Sequence, residues 1–138
     1  MRAIAGVLLV VGMLAGCSSG GDAPGVSAAP AVECATAPQE LLDRIATGAL
    51  DGTGMKPTAG GAYLSPDYEN VYFVAVRFAA TGVDDQVGVW ATNGLDSGIT
   101  MSVDGIAKTF TDWPDSASTS AAIKSTDPGV KAAIGCLG

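Results

Sequence analysis

Val71-Tyr72-Phe73-Val74-Ala75-Val76-Arg77-Phe78, followed shortly by Val87-Gly88-Val89-Trp90-Ala91, is the stretch that decides the fold. Its apolar residues fill consecutive positions, so both faces of a strand here would be dry. That is the pattern of a strand covered on both sides rather than one washed by water. Arg77 is the exception and is expected near a strand end, where it reaches solvent. Thr81-Gly82-Val83-Asp84-Asp85 between the two runs reads as a hairpin loop. The runs are then antiparallel neighbours at the centre of a sheet.

Outward from this pair, Ala62-Tyr63-Leu64 reads as a short edge strand closed by Ser65-Pro66-Asp67, and Asn93-Gly94 is a turn signal. Ile99 to Val103 forms the next strand. Asp104-Gly105 supplies the positive-φ positions of a two-residue hairpin, so Ile106 to Phe110 is expected to return beside it. Upstream, Thr36-Ala37-Pro38-Gln39 opens a helix in the manner of a Thr-x-x-Gln capping box. Leu41, Leu42, Ile45, Ala46 and Ala49 follow at helical spacing, and Gly48 or Gly52 ends the helix. Downstream, Asp112-Trp113-Pro114-Asp115 leaves the sheet and Ser120 to Lys124 makes a helical turn. Asp127-Pro128 starts a terminal helix running through Val130, Ala133 and Ile134 to Cys136. The order is helix, about five strands, helix. This predicts an α+β fold, an antiparallel meander with an N-terminal and a C-terminal helix packed on one face.

The chain has 138 residues, room for one modest core once the N-terminal segments are set aside. Residues 1–16 have a charged start, Met1-Arg2, and an apolar run from Ala3 to Leu14 that is too short to span a bilayer comfortably and is built like a secretory signal. Its ending, Leu14-Ala15-Gly16-Cys17, resembles a bacterial lipobox. By that resemblance Cys17 carries a diacylglyceryl group on sulfur and becomes the new N-terminus after cleavage. Residues 17–33, the lipidated Cys and a Gly-, Ser-, Ala- and Pro-rich run, lack the apolar bulk to order themselves and read as a tether. Residues 34–138 are then a single domain, exported and held to the outer face of the cell membrane by the lipid.

Charge and cysteine content narrow the chemistry. Seven Lys and Arg face 14 Asp and Glu, for a net charge of −7, and no basic cluster interrupts the acidity. Such a surface repels phosphate, so no nucleic-acid partner is expected. His is absent, which removes the commonest general base and transition-metal ligand. Of the three Cys, Cys17 is accounted for by the lipid, which leaves Cys34 and Cys136. A disulfide between them fits an exported context and is expected to set the first and last helices side by side. No C-x-x-C or His accompanies them to favour a redox or metal role.

Catalytic signatures are missing. Asp84, Asp85, Asp96, Asp104, Asp112 and Asp115 fall in turns or strand ends, where Asp serves backbone hydrogen bonding. The functional alternatives, a Ca²⁺ site or a carboxylate acid/base pair, lack an Asp-x-Asp-x-Asp-Gly loop. Without His there is no Ser-His-Asp triad; Gly-x-Ser-x-Gly and Gly-rich phosphate loops are also absent. No enzyme activity, metal or cofactor is therefore expected. Among the aromatics, Phe73 and Trp90 read as core. Trp113, set between Asp112 and Pro114, reads as a plug folded back onto the sheet edge. Its alternative role is in an exposed partner surface with Tyr68, Tyr72 and Asp112.

Three runs carry a resemblance: Asn70-Val71-Tyr72-Phe73-Val74-Ala75; Gly88-Val89-Trp90-Ala91-Thr92-Asn93; and Val103-Asp104-Gly105-Ile106-Ala107 with Phe110-Thr111-Asp112-Trp113-Pro114. Together they resemble a family of small uncharacterised secreted or lipid-anchored proteins of actinobacteria and their phages. The likeness covers most of residues 34–138, including the flanking Cys pair. It implies a cell-envelope protein and supplies no catalytic residue.

The expected function is a non-enzymatic interaction module, monomeric, whose partners are the membrane through Cys17 and an envelope or phage protein. One form of it is a prophage lipoprotein that excludes superinfecting phage. The alternative is a carrier of a small apolar ligand, which requires a pocket between sheet and helices. An enzyme working with carboxylates alone is the third reading, and it requires two of them facing each other across a cleft.

Overall fold

The structure, a computed structural model, describes residues 33–138. Its centre is a five-stranded antiparallel sheet in chain order: β1 (Cys34–Thr36), β2 (Lys56–Leu64), β3 (Tyr72–Ala80), β4 (Val83–Thr92) and β5 (Thr100–Ser102). Helices α1 (Gln39–Thr47), α2 (Gly105–Phe110) and α3 (Pro128–Gly135) cover it. The α+β class and the five-strand meander agree with the sequence reading, and β3 and β4 are its central pair.

Pairing assigns each residue to a face. Ala62, Val74 and Trp90 face one side, matched Ala62↔Val74↔Trp90; Tyr63, Phe73 and Ala91 face the other. On the first side Val74, Val76, Phe78 and Trp90 pack with Leu41, Leu42 and Ile45 of α1 and Ala107 of α2. On the second, Phe73, Ala75, Val89 and Ala91 pack with Val103, Ile123 and the α3 residues Val130 and Ala133. The N-terminal and C-terminal helices thus lie on opposite faces, not on the single face expected. The opening run demanded this: Phe73, Ala75, Val89 and Ala91 are fully buried, and helices on one side only would leave them in water.

The fifth strand is also not the expected one. Residues 106–110 belong to α2, and the strand count is completed by β1, paired Cys34↔Tyr63 through Thr36↔Gly61. Asp104 caps α2, its carboxylate accepting from Ala107 N at 2.8 Å. It also accepts from Val89 N at 3.1 Å, in effect continuing the β4 ladder where β5 has ended. Thr36 lies in β1 and does not cap α1; Pro38 holds the cap position, its carbonyl accepting from Leu41 N and Leu42 N.

Two glycines let the layers close on β2. A Cβ at Gly60 would strike Leu42 and Ala37 on the α1 side, and one at Gly61 would lie 2.7 Å from the Cys136 carbonyl carbon on the α3 side. Close approach of another chain is the ordinary reason for Gly inside a strand. The outer edge of β2 beyond the reach of β1 carries Lys56, Pro57 and a register shift between Pro57 and Ala59, features that blunt an edge against pairing with another chain.

Candidate functional site

Cys34 and Cys136 are bonded, with Cα atoms 5.4 Å apart. The bridge ties the end of α3 to the edge strand β1, on the sheet face that α3 covers. It does not join the first and last helices side by side. Cys17 lies outside the described residues.

The residues expected to share a partner surface are separated. Tyr68 packs partly buried against the α3-side core, and its hydroxyl donates to Asp127 Oδ2 at 2.6 Å. That bond holds the tyrosine hydroxyl above its ordinary value and the Asp127 carboxyl below the usual carboxylate range. Asp127 sits at the N-cap of α3 as read from sequence, but its carboxylate turns away from the helix to Tyr68 and Lys124 N. Trp113 packs against the opposite core, and its Nε1 donates to Ile45 O at 2.9 Å over Gly48. The indole is a plug, but on the C-terminal end of α1 and not on the sheet edge expected for it. Asp112 is exposed beside it, its backbone N–H bonded to Gly48 O. Tyr72 faces the Trp113 side as well.

The carboxylates with clear environments are engaged structurally. Asp85 pairs with Arg77 at 3.1 Å and Asp115 with Lys108 at 2.9 Å; the Lys108 hydrogen bond holds Asp115 low. Asp104 differs. Burial pushes its carboxyl above the ordinary 3.8, outweighing the Ala107 and Val89 N–H groups that favour the anion. The folded state therefore binds this proton more tightly than the unfolded chain. Its contribution to stability is fully present below about 3.8 and is lost as pH rises through the folded value. Asp104→Asn keeps the capping oxygen but removes the titration. Measured by urea unfolding from pH 3 upward, stability of the variant relative to the native protein should rise with pH over that interval. A pH-independent difference would contradict the assignment.

Arg44, whose role sequence reasoning missed, ties α1 to the far end of the sheet. Its Nη2 donates to Thr92 Oγ1 and Gly94 O, both at 3.0 Å, and its Nε to Thr100 Oγ1 at 3.3 Å. No sequence motif marks these partners, because 48 to 56 residues separate them from Arg44.

The same end of the sheet carries a groove of about 290 Å³, lined by Val71, Asn93, Ile99, Met101, Thr119, Ser120 and Ala121. Ile99 is 63% exposed, and Leu64, at the end of β2, is 51% exposed. Val71, Met101 and Ala121 rest on the α3-side core. The only hint in the sequence was Ile99 itself, a bulky apolar residue following the polar run Asp96-Ser97-Gly98. The groove is open and lies at the rim. Between sheet and helices the side chains of Phe73, Val74, Val76 and Val89 are completely buried, as are those of Leu41 and Ala133.

Among the described residues every buried side-chain nitrogen and oxygen has a hydrogen-bond partner. No cluster of three or more metal-ligating side chains is present among them, and no helix there is long and apolar enough to cross a membrane. No family model matches the chain, and no curated protein or solved structure is significantly similar to it.

Proposed function

We propose that the protein is a lipid-anchored cell-envelope protein whose domain works as a non-enzymatic interaction module. The observation that carries this reading is the ending Leu14-Ala15-Gly16-Cys17 after a short apolar run, followed by the Gly- and Ser-rich stretch that leads to the domain. The closed Cys34–Cys136 bridge supports it, because disulfides persist in oxidising compartments and are rare in the cytosol. With two Cys consumed, Cys17 is the thiol left for acylation. The resemblance to small envelope proteins of actinobacteria and their phages agrees with this placement.

For the domain, interaction is favoured over carriage by where the open apolar surface lies. The groove is at the sheet rim, with exposed Ile99 in its lining, and a carrier needs an enclosed site that buries most of its ligand. Exclusion of superinfecting phage is one form the module would take.

Expression of the full chain in a bacterial host tests the anchor. The native protein should partition into detergent, and its mass should show loss of residues 1–16 and gain of acyl groups. Cys17→Ala should abolish the acyl mass and move the protein to the aqueous phase. An unacylated native protein that partitions like the variant would overturn the reading.

A further inference from the structure

We propose that the groove at the sheet end is the docking site for a protein partner that presents a bulky apolar side chain beside a lysine or arginine. The inference rests on the interaction-module reading and names the surface and partner chemistry it would use. Val71, Ile99, Met101 and Ala121 form the apolar walls of the groove, and Asn93, Thr119 and Ser120 its polar rim. At about 290 Å³ and open to one side, it is at the small end of ligand sites. It suits an inserted side chain better than an engulfed molecule.

Its walls are held in place before any partner arrives. Asn70, next to Val71, has φ 55°, and Ala122, next to Ala121, has φ 51°. Asn adopts the left-handed region readily, but it costs Ala122 about 1–2 kcal/mol, so the packing around Ala122 must enforce it. That packing is Ile123, completely buried, whose carbonyl accepts from Ser116 Oγ at 2.9 Å. At the Val71 wall, Ser65 N bonds Val71 O at 2.8 Å and closes the loop. A preformed groove loses less entropy on binding than one that must order itself.

Charge selects the partner. Exposed Glu69 lies two residues before Val71, and exposed Asp96 lies midway in residues 93–99, whose two ends line the groove. Asp67 is in the same loop as Glu69. Against them stand Lys124, three residues beyond Ala121, and half-buried Arg44, whose guanidinium is bonded to Gly94 O and Thr100 Oγ1 next to Asn93 and Ile99. The chain as a whole has twice as many acidic as basic residues, 14 to 7. Two of the basic ones, Arg77 and Lys108, are already paired. A cationic segment is drawn to this surface and an acidic one repelled.

The test is photo-crosslinking of the full-length protein in its host, with a benzophenone amino acid replacing Ile99 or, at the opposite end of the sheet, Val83. Both side chains are exposed, and unchanged melting temperatures would show the fold intact. The proposal expects adducts from position 99 whose crosslinked segment holds Lys or Arg within two residues of a bulky apolar side chain. Glu69→Gln with Asp96→Asn should reduce their yield severalfold, and none should form from position 83. A lipid adduct at 99, or a segment lacking the cation, overturns the proposal. So does an unchanged yield in the double variant. Adducts from 83 alone reject the groove but leave the module reading standing; no adduct from either position rejects both.

Discussion

Replacing Cys34 and Cys136 with Ser should lower stability by about 4–5 kcal/mol, the loss of loop-closure entropy for a loop on the order of 100 residues. The bonded residues are 102 apart, so the bridge closes nearly the whole domain. For a domain of this size the melting temperature should fall by roughly 20–35 °C. Native-state effects act in the same direction. Helix α3 has eight residues, too few to persist without tertiary support. Val130 and Ala133 anchor its middle, and Ile134 at its end is exposed. Without the bridge, amide hydrogens of α3 should exchange before those of β3 and β4. A loss of only a few degrees, or uniform protection across α3 and the sheet, would show that packing alone holds the helix.

The consequence of that bridge was legible in part. Pairing of Cys34 with Cys136 followed from context, but the partner elements did not. Strand β1 is three residues long and pairs with Gly61–Tyr63, about a quarter of the domain away in sequence. Nothing local in Cys34-Ala35-Thr36 signals a strand, and Gly60-Gly61 reads as loop until the chains pressing on it from both faces are known. The central pair was legible because consecutive apolar residues leave few alternatives. The same evidence required cover on both faces, so the placement of the two helices was decidable from β3 alone.

Asp104-Gly105 failed for a different reason. An Asp-Gly pair serves a tight hairpin and a helix N-cap equally well, since both use the short acceptor side chain and a following residue without steric demand. Spacing was the arbiter. Ile106, Ala107 and Phe110 all pack toward the α1-side core, a one-face pattern at offsets of one and four that suits a helix and not an alternating strand. Beyond Ile99 itself, the groove was not legible. It joins segments near residues 71, 93–101 and 119–121, and beside Ala121 the chain turns left-handed at Ala122, a residue type that does not announce that conformation.

Trp90→Ala should cost about 3–5 kcal/mol, the largest effect of any single truncation in the α1-side core. The indole is completely buried and meets Phe78 edge-on, with centroids 6.1 Å apart. Its Nε1 donates to Thr111 Oγ1 at 3.1 Å, and Thr111 in turn donates to Ala107 O at 2.7 Å, so the ring also orients the end of α2. Gly88 makes the space: a Cβ there would lie 2.7 Å from Trp90 Cη2. Gly88→Ala should therefore destabilise by about 1–3 kcal/mol through overpacking. The decisive measurement is the double variant. If the clash with the indole is the cause, Gly88→Ala loses most of its cost once Trp90 is Ala, and urea titrations give a coupling close to the single-variant loss. A remainder is expected from Ala107 N, which the new methyl would approach to 3.2 Å. Strict additivity of the two substitutions would show that Gly88 is required by the strand backbone and not by the ring that lies over it.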